Sequence, residues 1–444
     1  MKILRYDTDL KWLDQQLENL KQLLETNLIN NIFYEHKLLS SSHSHQLINL
    51  RKKFDEIFKL IKKSKNNQKI WDELYKIKQI KLYYLCNLSD NIILQFKDAI
   101  KSIATISTNE RNTMILVSEY NKIYVKGYNS FGQLILKKQN IKDWTLINDS
   151  RLINCEKVYL GWSHSIFVCK NKVYGAGCGS DGRIGNNSLE EYNDLSEIKI
   201  NEKIKKVQCG STNSYFLTES GDIYSCGLKY YLGLNSKGKN ISIPEKVDIN
   251  SRYKFVDISV GDGGYHILAL NSNGEVYTWG HNRVGQTSFE ESDQYGHNEK
   301  YIDDLNNYWI RFPKKININK PILKISTGWG HSGLLDFDGN IYLFGRNCKG
   351  QLGVSKKQSK NNSQNYFYNN EIKKYKFNRK IKDLYLGHVN TLFLTKNIAN
   401  QNEIYGLGES ENYNHFNSKL KLLNTFDNIK GIKINDSCTI LIEK

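Results

Sequence analysis

The sequence predicts a mainly-β protein, a seven-bladed β-propeller with an N-terminal α-helical domain, and three observations carry that prediction. A glycine-punctuated phrase recurs six times through roughly the last three quarters of the chain. Each copy has a partner phrase about fifteen residues upstream. The first hundred or so residues lack both phrases and carry leucine stripes at helical spacing instead.

The recurring phrase reads KIYVKGYNSFGQL from Lys122, KVYGAGCGSDGRIGN from Lys172, DIYSCGLKYYLGL from Asp222, EVYTWGHNRVGQT from Glu275, NIYLFGRNCKGQLG from Asn340 and EIYGLGESENYNH from Glu403. Aligned on the glycine that ends the apolar run, the copies fall at Gly127, Gly177, Gly227, Gly280, Gly345 and Gly408. Intervals of about 50 to 65 residues mark a module with variable loops. The partner phrases are LGWSHSIFVC from Leu160, CGSTNSYFLT from Cys209, VGDGGYHILAL from Val260, TGWGHSGLL from Thr327 and LGHVNTLFL from Leu386.

Each unit therefore reads as strand, turn, strand, tight turn, strand. Short runs of β-branched and aromatic residues bounded by Gly, Asn, Asp and Ser have the composition of half-buried strands. Turns such as Glu219-Ser220-Gly221-Asp222 put glycine where a hairpin needs positive φ. The weaker copies lie at the ends. NERNTMILV sets Asn112-Thr113 where His164-Ser165 stands, and NDSCTILIEK sets Cys438-Thr439 there. The count becomes seven strand-turn-strand units against six complete phrases. Three- or four-stranded sheets repeating at this period suit a propeller, whose radial repetition leaves only short edges.

The period, the Gly-x-x-His-Ser type turn, the aromatic strand and the Gly-Gln-Leu-Gly ending resemble the repeats of the regulator of chromosome condensation family, a seven-bladed propeller. The resemblance covers about residues 99 to 444. Only Gly350-Gln351-Leu352-Gly353 is complete; Gly132-Gln133-Leu134, Gly285-Gln286-Thr287 and Tyr231-Leu232-Gly233-Leu234 are partial. These phrases end strands and open no helix, so they are not nucleotide fingerprints. Their glycines are expected to be structural and their leucines to fill the space between blades.

The seventh unit has no I-Y-x-x-G strand of its own, and an open blade would expose unpaired backbone. Two segments could complete it: Lys2 to Tyr6, which is the preferred candidate and would occupy residues 1–8, or Ile92 to Phe96. Residues 9–98 are expected to form a helical bundle or hairpin. Leu10, Leu13, Leu17, Leu20 and Leu24 alternate spacings of three and four, Leu47, Leu50, Phe54, Ile57 and Ile61 do so again, and Ile70 to Leu85 is also helix-like.

Composition suits an intracellular protein of the cytoplasm or nucleus. No apolar stretch is long enough to cross a membrane, and the N-terminus is charged too early for a secretion signal. The eight cysteines form no Cys-x-x-Cys pair and read as buried free thiols. The formal charge of +17 comes from lysine spread along the chain, densest at Lys59 to Lys69 and Lys373 to Lys382. A solvated lysine surface accounts for it better than a nucleic-acid groove does.

Nothing in the sequence reads as a catalytic, metal or cofactor site. His164, His266 and His331 recur at one place in the unit, but Asn112, Asn213, Asn390 and Cys438 stand there too, which fits a polar turn residue bonding local backbone. His43-Ser44-His45 lacks partners at ligand spacing. Function is expected to lie in a surface. The first expectation is a non-enzymatic scaffold for protein–protein interaction, with specificity in the insertions from Thr287 to Pro321 and Ser355 to Arg379. The resemblance implies an alternative, guanine-nucleotide exchange on a small GTPase of the Ran type, and a second one, association with chromatin or nucleic acid.

Overall fold

A computed structural model describes residues 81–443 apart from 87–89, 96–99, 109–110, 119, 171, 192, 236–238, 262–263, 290–308, 356–359, 362–366, 376, 378, 409–418, 427–428 and 435–437. The chain divides into two compact units, Met1–Lys69 and Ile70–Lys444. The second contains everything described here. The leucine stripes, the His43-Ser44-His45 loop, the Lys59 to Lys69 run and the Lys2 to Tyr6 segment all lie outside the described residues.

Six sheets are each built from consecutive antiparallel strands. Blade 1 runs Ile100–Thr108, Arg111–Ser118, Ile123–Tyr128 and Asn140–Ile147. Blade 2 runs Cys155–Leu160, His164–Cys169, Val173–Gly177 and Asn193–Ile198. Blade 3 is Ile204–Cys209, Asn213–Thr218, Ile223–Gly227 and Ile241–Lys246. Blade 4 is Phe255–Val260, His266–Asn271, Val276–His281 and Trp309–Lys315. Blade 5 is Ile322–Thr327, His331–Asp336, Ile341–Arg346 and Phe367–Tyr375, with the short Lys360–Asn361 strand on its outer edge. Blade 6 is Asp383–Leu386, Asn390–Lys396, Asn402–Gly408 and Lys421–Phe426.

Against the seven blades expected from the repeat count, these are the six made of consecutive strands. The remaining strands form a sheet of another construction, in the order Asp90–Gln95, Lys81–Cys86, Cys438–Glu443, Ile429–Ile434. Lys81–Cys86 pairs antiparallel with Cys438–Glu443 through Leu82↔Ile442 to Cys86↔Cys438. The position expected for Lys2 to Tyr6 is therefore held by Lys81–Cys86, and residues 92–95 of the Ile92 to Phe96 candidate lie in the strand outside it, Phe96 being outside the described residues.

The helical boundary at residue 98 is corrected accordingly. Lys81-Leu82-Tyr83-Tyr84-Leu85-Cys86 has no polar helical face, its aromatic and aliphatic side chains suit a strand, and Asn87, Ser89 and Asp90 bound it with turn residues. An available edge at Cys438–Glu443 decides the outcome, since an unpaired strand is avoided.

The strands are not uniformly half-buried. First strands mix buried and part-exposed positions, as in Cys155–Leu160. The second strands His164–Cys169, Asn213–Thr218, His266–Asn271 and His331–Asp336 are buried at every position. Flanked by blades on both faces, they read as continuous apolar runs. The core is correspondingly made of inter-blade clusters. Leu134 of blade 1 packs with Val158 and Phe167 of blade 2, Leu232 of blade 3 with Ile258 and Trp279 of blade 4, and Leu352 of blade 5 with Leu384 and Phe393 of blade 6.

Candidate protein-interaction face

Antiparallel order places two connections at the same end of every blade: the turn between first and second strands and the loop between third and fourth. The Gly-x-x-His-Ser turns and the Gly-Gln-Leu-Gly loops therefore share one face, and a hydrogen-bond device joins them across blades. The Ser214 hydroxyl of blade 3 donates to the Arg183 carbonyl of blade 2 at 2.6 Å and lies 2.9 Å from His164 Nε2. Ser332 of blade 5 does the same with Gln286 O at 2.7 Å and His266 Nε2 at 2.8 Å of blade 4. Thr391 of blade 6 does so with Gln351 O at 2.8 Å and His331 Nε2 at 3.0 Å of blade 5.

Each hydroxyl has one proton and gives it to the carbonyl, so the histidine Nε2–H must be the donor in each pair. The three rings are neutral, because an imidazolium would need a second acceptor, at Nδ1–H, and none is present. They are wholly buried, their Nδ1 atoms have no partner, and burial pushes each pKa down to about 3. These histidines are inter-blade ties, not acid–base groups.

Register corrects one alignment in the sequence reading. Thr113, not Asn112, faces Gly127, as His164 faces Gly177, His266 faces Gly280 and His331 faces Gly345. The Thr113 hydroxyl donates to Tyr128 O at 2.9 Å. Cys438 does occupy the histidine position, facing Cys86.

The six repeat glycines all have positive φ, from 87° at Gly408 to 122° at Gly227. At Gly280 a Cβ would also come within 2.3 Å of the Tyr265 carbonyl oxygen. Beyond three of these glycines lies a feature the sequence reading missed, an asparagine two residues on. Asn129, Asn282 and Asn347 each accept from the amide five residues ahead, at 2.6, 3.1 and 3.0 Å. Each also donates Nδ2 to the carbonyl seven ahead, at 2.6, 3.0 and 3.0 Å. The shared Gly-x-Asn offset was the available signal.

On this scaffold the face carries rings and guanidinium groups. Arg183 Nη1 bridges Ser163 Oγ of blade 2 at 2.7 Å and Ser211 O of blade 3 at 2.9 Å, and is ion-paired with Asp181. Tyr265 of blade 4 donates to Ser211 Oγ at 3.1 Å, and its ring lies 5.2 Å from Tyr231 and 6.2 Å from His281. The Arg346 guanidinium sits 4.5 Å above Trp329, whose other neighbour is His388 of blade 6, stacked at 4.8 Å and 6°. Burial first, and the Arg346 charge second, push His388 down to about 4, so the stacked imidazole is neutral. Trp162, at the place of Trp329 in blade 2, is 36% exposed. Half-exposed aromatic rings and arginines held in fixed positions are the groups that anchor protein interfaces.

The insertions open on the same face but are shorter than the sequence suggested. Trp309–Lys315 and Phe367–Tyr375 are the outer strands of blades 4 and 5, not loop. Replacing Thr287 to Pro321 or Ser355 to Arg379 would therefore remove a strand with the loop.

Along the axis, the first strands enclose a cavity of about 510 Å³. Its two lysines, Lys206 and Lys324, are paired with Asp257 and Asp383 of the following blades, the first at 2.6 Å. Ser259 and Thr327 meet at 2.9 Å. These contacts join blades and leave no uncompensated charge on either lysine.

Residues 204–231 and 255–286, the first three strands of blades 3 and 4 with their loops, match the profile of the Regulator of chromosome condensation (RCC1) repeat. The class that fold and repeats define is an RCC1-repeat β-propeller. Among curated relatives, the chain is 27% identical over 276 residues to the human probable E3 ubiquitin-protein ligase HERC6, covering 58% of this chain and 25% of that protein. It is 29% identical over 218 residues to the Arabidopsis thaliana ultraviolet-B receptor UVR8, covering 47% of this chain and 45% of that protein. It thus spans less than half the length of either. Among solved structures, Prp20p of Saccharomyces cerevisiae superposes with a TM-score of 0.64 at 16% identity, over 84% of this chain and 94% of that one. Human WBSCR16 also gives 0.64, at 15% identity, over 82% and 98%. Among the described residues no helix is long and apolar enough to cross a membrane.

Proposed function

We propose that the protein is a non-enzymatic scaffold that binds a protein partner on the face bearing Trp162, Arg183, Tyr265, Trp329, Arg346 and His388. The sheet that joins the two ends serves as the seventh blade and closes the ring. The observation that carries the reading is the Arg346–Trp329–His388 stack, which spans two blades and holds an arginine and an indole partly exposed. Fixing such groups in advance lowers the entropic cost of association. Affinity capture with the intact protein and with Trp329→Ala/Arg346→Ala tests it. The partner retained by the first should be lost from the second while both melt alike, and equal retention overturns the assignment.

A second reading is exchange of guanine nucleotide on a small GTPase. It is favoured by the likeness in fold to Prp20p, a protein characterised for its binding to Gsp1p and histones. Release of a fluorescent guanine nucleotide from a panel of small GTPases decides between the two. Acceleration by catalytic amounts of this protein establishes exchange, and unchanged release across the panel leaves the scaffold.

A further inference from the structure

Blade 2 brings two cysteines to facing positions at one end of its first hairpin. Cys155 begins the strand Cys155–Leu160, Cys169 ends the strand His164–Cys169, and the register sets one against the other. The backbone bonds around them define the kind of site. Lys170 N donates to Asn154 O at 3.1 Å, one step outside the pair, while the Cys169 amide turns away from Cys155 to Lys172 O at 2.9 Å. Cys155 and Cys169 are therefore a non-hydrogen-bonded pair. Residues facing each other at such sites have Cα atoms about 4.5 Å apart, inside the range that a disulfide spans.

The two side chains meet, with a hydrogen bond between their sulfurs. Cys155 Sγ also lies 3.5 Å from Lys157 O, and Cys169 Sγ 3.9 Å from Arg151 O. The two differ in access, since Cys155 is wholly buried and Cys169 is 8% exposed. They differ in acidity as well. The hydrogen bond from Cys155, working against burial and the Glu156 charge, holds the Cys169 thiol below its ordinary value. Blade 3 supplies the contrast. Cys209 and Cys226 each face Ser214, from opposite sides, and burial pushes the Cys209 thiol up to about 12.

We infer that Cys155 and Cys169 are a redox-modification site, a dithiol that a small hydroperoxide converts to a disulfide, independently of any partner. Cys169, the exposed member, reacts first. Its thiolate sulfur attacks one oxygen of hydrogen peroxide, the O–O bond breaks, and the leaving hydroxide takes up the thiol proton as water. Cys169 is left as a sulfenic acid. The Cys155 sulfur, giving up its proton, then attacks the Cys169 sulfur; the S–O bond breaks and a second water leaves. The protein loses two electrons and two protons, and one peroxide becomes two waters. The bond staples the base of the hairpin whose turn carries Trp162, and constrains the unfolded chain there.

The full chain in its native state is treated with hydrogen peroxide, unfolded, alkylated and digested with trypsin without reduction. Cys155 and Cys169 fall in separate tryptic peptides, residues 152–157 and 158–170. We expect these two peptides to be recovered linked, with Cys209 and Cys226 recovered as alkylated thiols. With dimedone present, Cys155→Ser should carry the sulfenic-acid adduct on Cys169, and Cys169→Ser should leave Cys155 an unmodified thiol. Recovery of Cys155 and Cys169 as alkylated thiols, or a link that forms only when the chain is unfolded before oxidation, overturns the inference. So does an adduct on Cys155 in Cys169→Ser equal to that on Cys169 in Cys155→Ser. The wild-type peptide map decides even where a variant fails to fold.

Discussion

The two faces of the propeller are built from the same strands and differ in how their connections are satisfied. On the face opposite the Gly-Gln-Leu-Gly loops, the connections between second and third strands are tight turns closed by their own side chains. Asp336 accepts from Asn340 N at 2.8 Å, from Asn340 Nδ2 at 2.8 Å and from Tyr342 OH at 3.0 Å. Asn271 accepts from Asn273 N and Glu275 N at 3.0 Å each, and Asn397 from Gln401 N at 2.9 Å. Charges there also find local partners, Lys315 with Glu275 at 2.6 Å and Lys246 with Asp222 at 2.8 Å. On the loop face, bonds run between blades, and rings and guanidinium groups stack partly exposed. One face is closed by bonds within each turn, although Tyr120, Phe337 and Ile398 stand exposed on it; the other is tied between blades and carries partly exposed rings and guanidinium groups in fixed positions. Recognition is proposed on the loop face because of that difference.

Acid should break the comparison most strongly. His164, His266 and His331 lie under the loop face with pKa values near 3, against an ordinary value of 6.5. A depressed pKa means that the unfolded chain binds protons the native state refuses. The stabilisation is complete above pH 6.5 and is lost progressively as pH falls from 6.5 towards 3. Hydrogen exchange at pH 5 should rise in the turns at 161–163 and 328–330 before the turn at 336–340 opens. Equal acceleration on both faces would dissolve the distinction.

A smaller loss is expected from Gly280→Val, which adds a β-branched side chain at φ 98° against the Tyr265 carbonyl. About 3 kcal/mol should go, read as a lowered urea midpoint with an unchanged slope. A variant that melts with the wild type would remove the physical basis of the repeat alignment. The smallest effect belongs to the closed face. Asp336→Ala should cost about 1 kcal/mol by freeing the Asn340 amide, and partner capture should be unaffected. A capture defect in that variant would show that the opposite face takes part in recognition.

Much of this was legible in the sequence because the repeat is written in residues that geometry demands. A glycine with positive φ and a hydroxyl beside a histidine recur where chain direction and blade spacing recur. What stayed hidden follows from the same physics. The repeat was aligned on glycine, so the copy ending in Cys86 went unseen, although Lys81-Leu82-Tyr83 repeats Lys172-Val173-Tyr174. In blade 1 no histidine marked the place, and the reading slipped by one residue to Asn112. The outer strands Trp309–Lys315 and Phe367–Tyr375 read as loop because they are half-exposed edges rich in lysine, without an apolar run. The proposed recognition face could not be read at all, since Trp329, Arg346 and His388 are distant in sequence and meet only when blades 5 and 6 stand side by side.

The loop face, and not the turn face, is proposed to bind the partner. Dissociation constants of the captured partner, measured for Trp329→Ala and Arg346→Ala on one face and for Lys315→Ala and Lys246→Ala on the other, test it most directly. The loop-face variants should each weaken binding about thirtyfold, roughly 2 kcal/mol, as truncated anchor residues do. The turn-face variants should bind as the wild type does. Weakening confined to Lys315→Ala and Lys246→Ala, with the loop-face variants unchanged, would contradict the account.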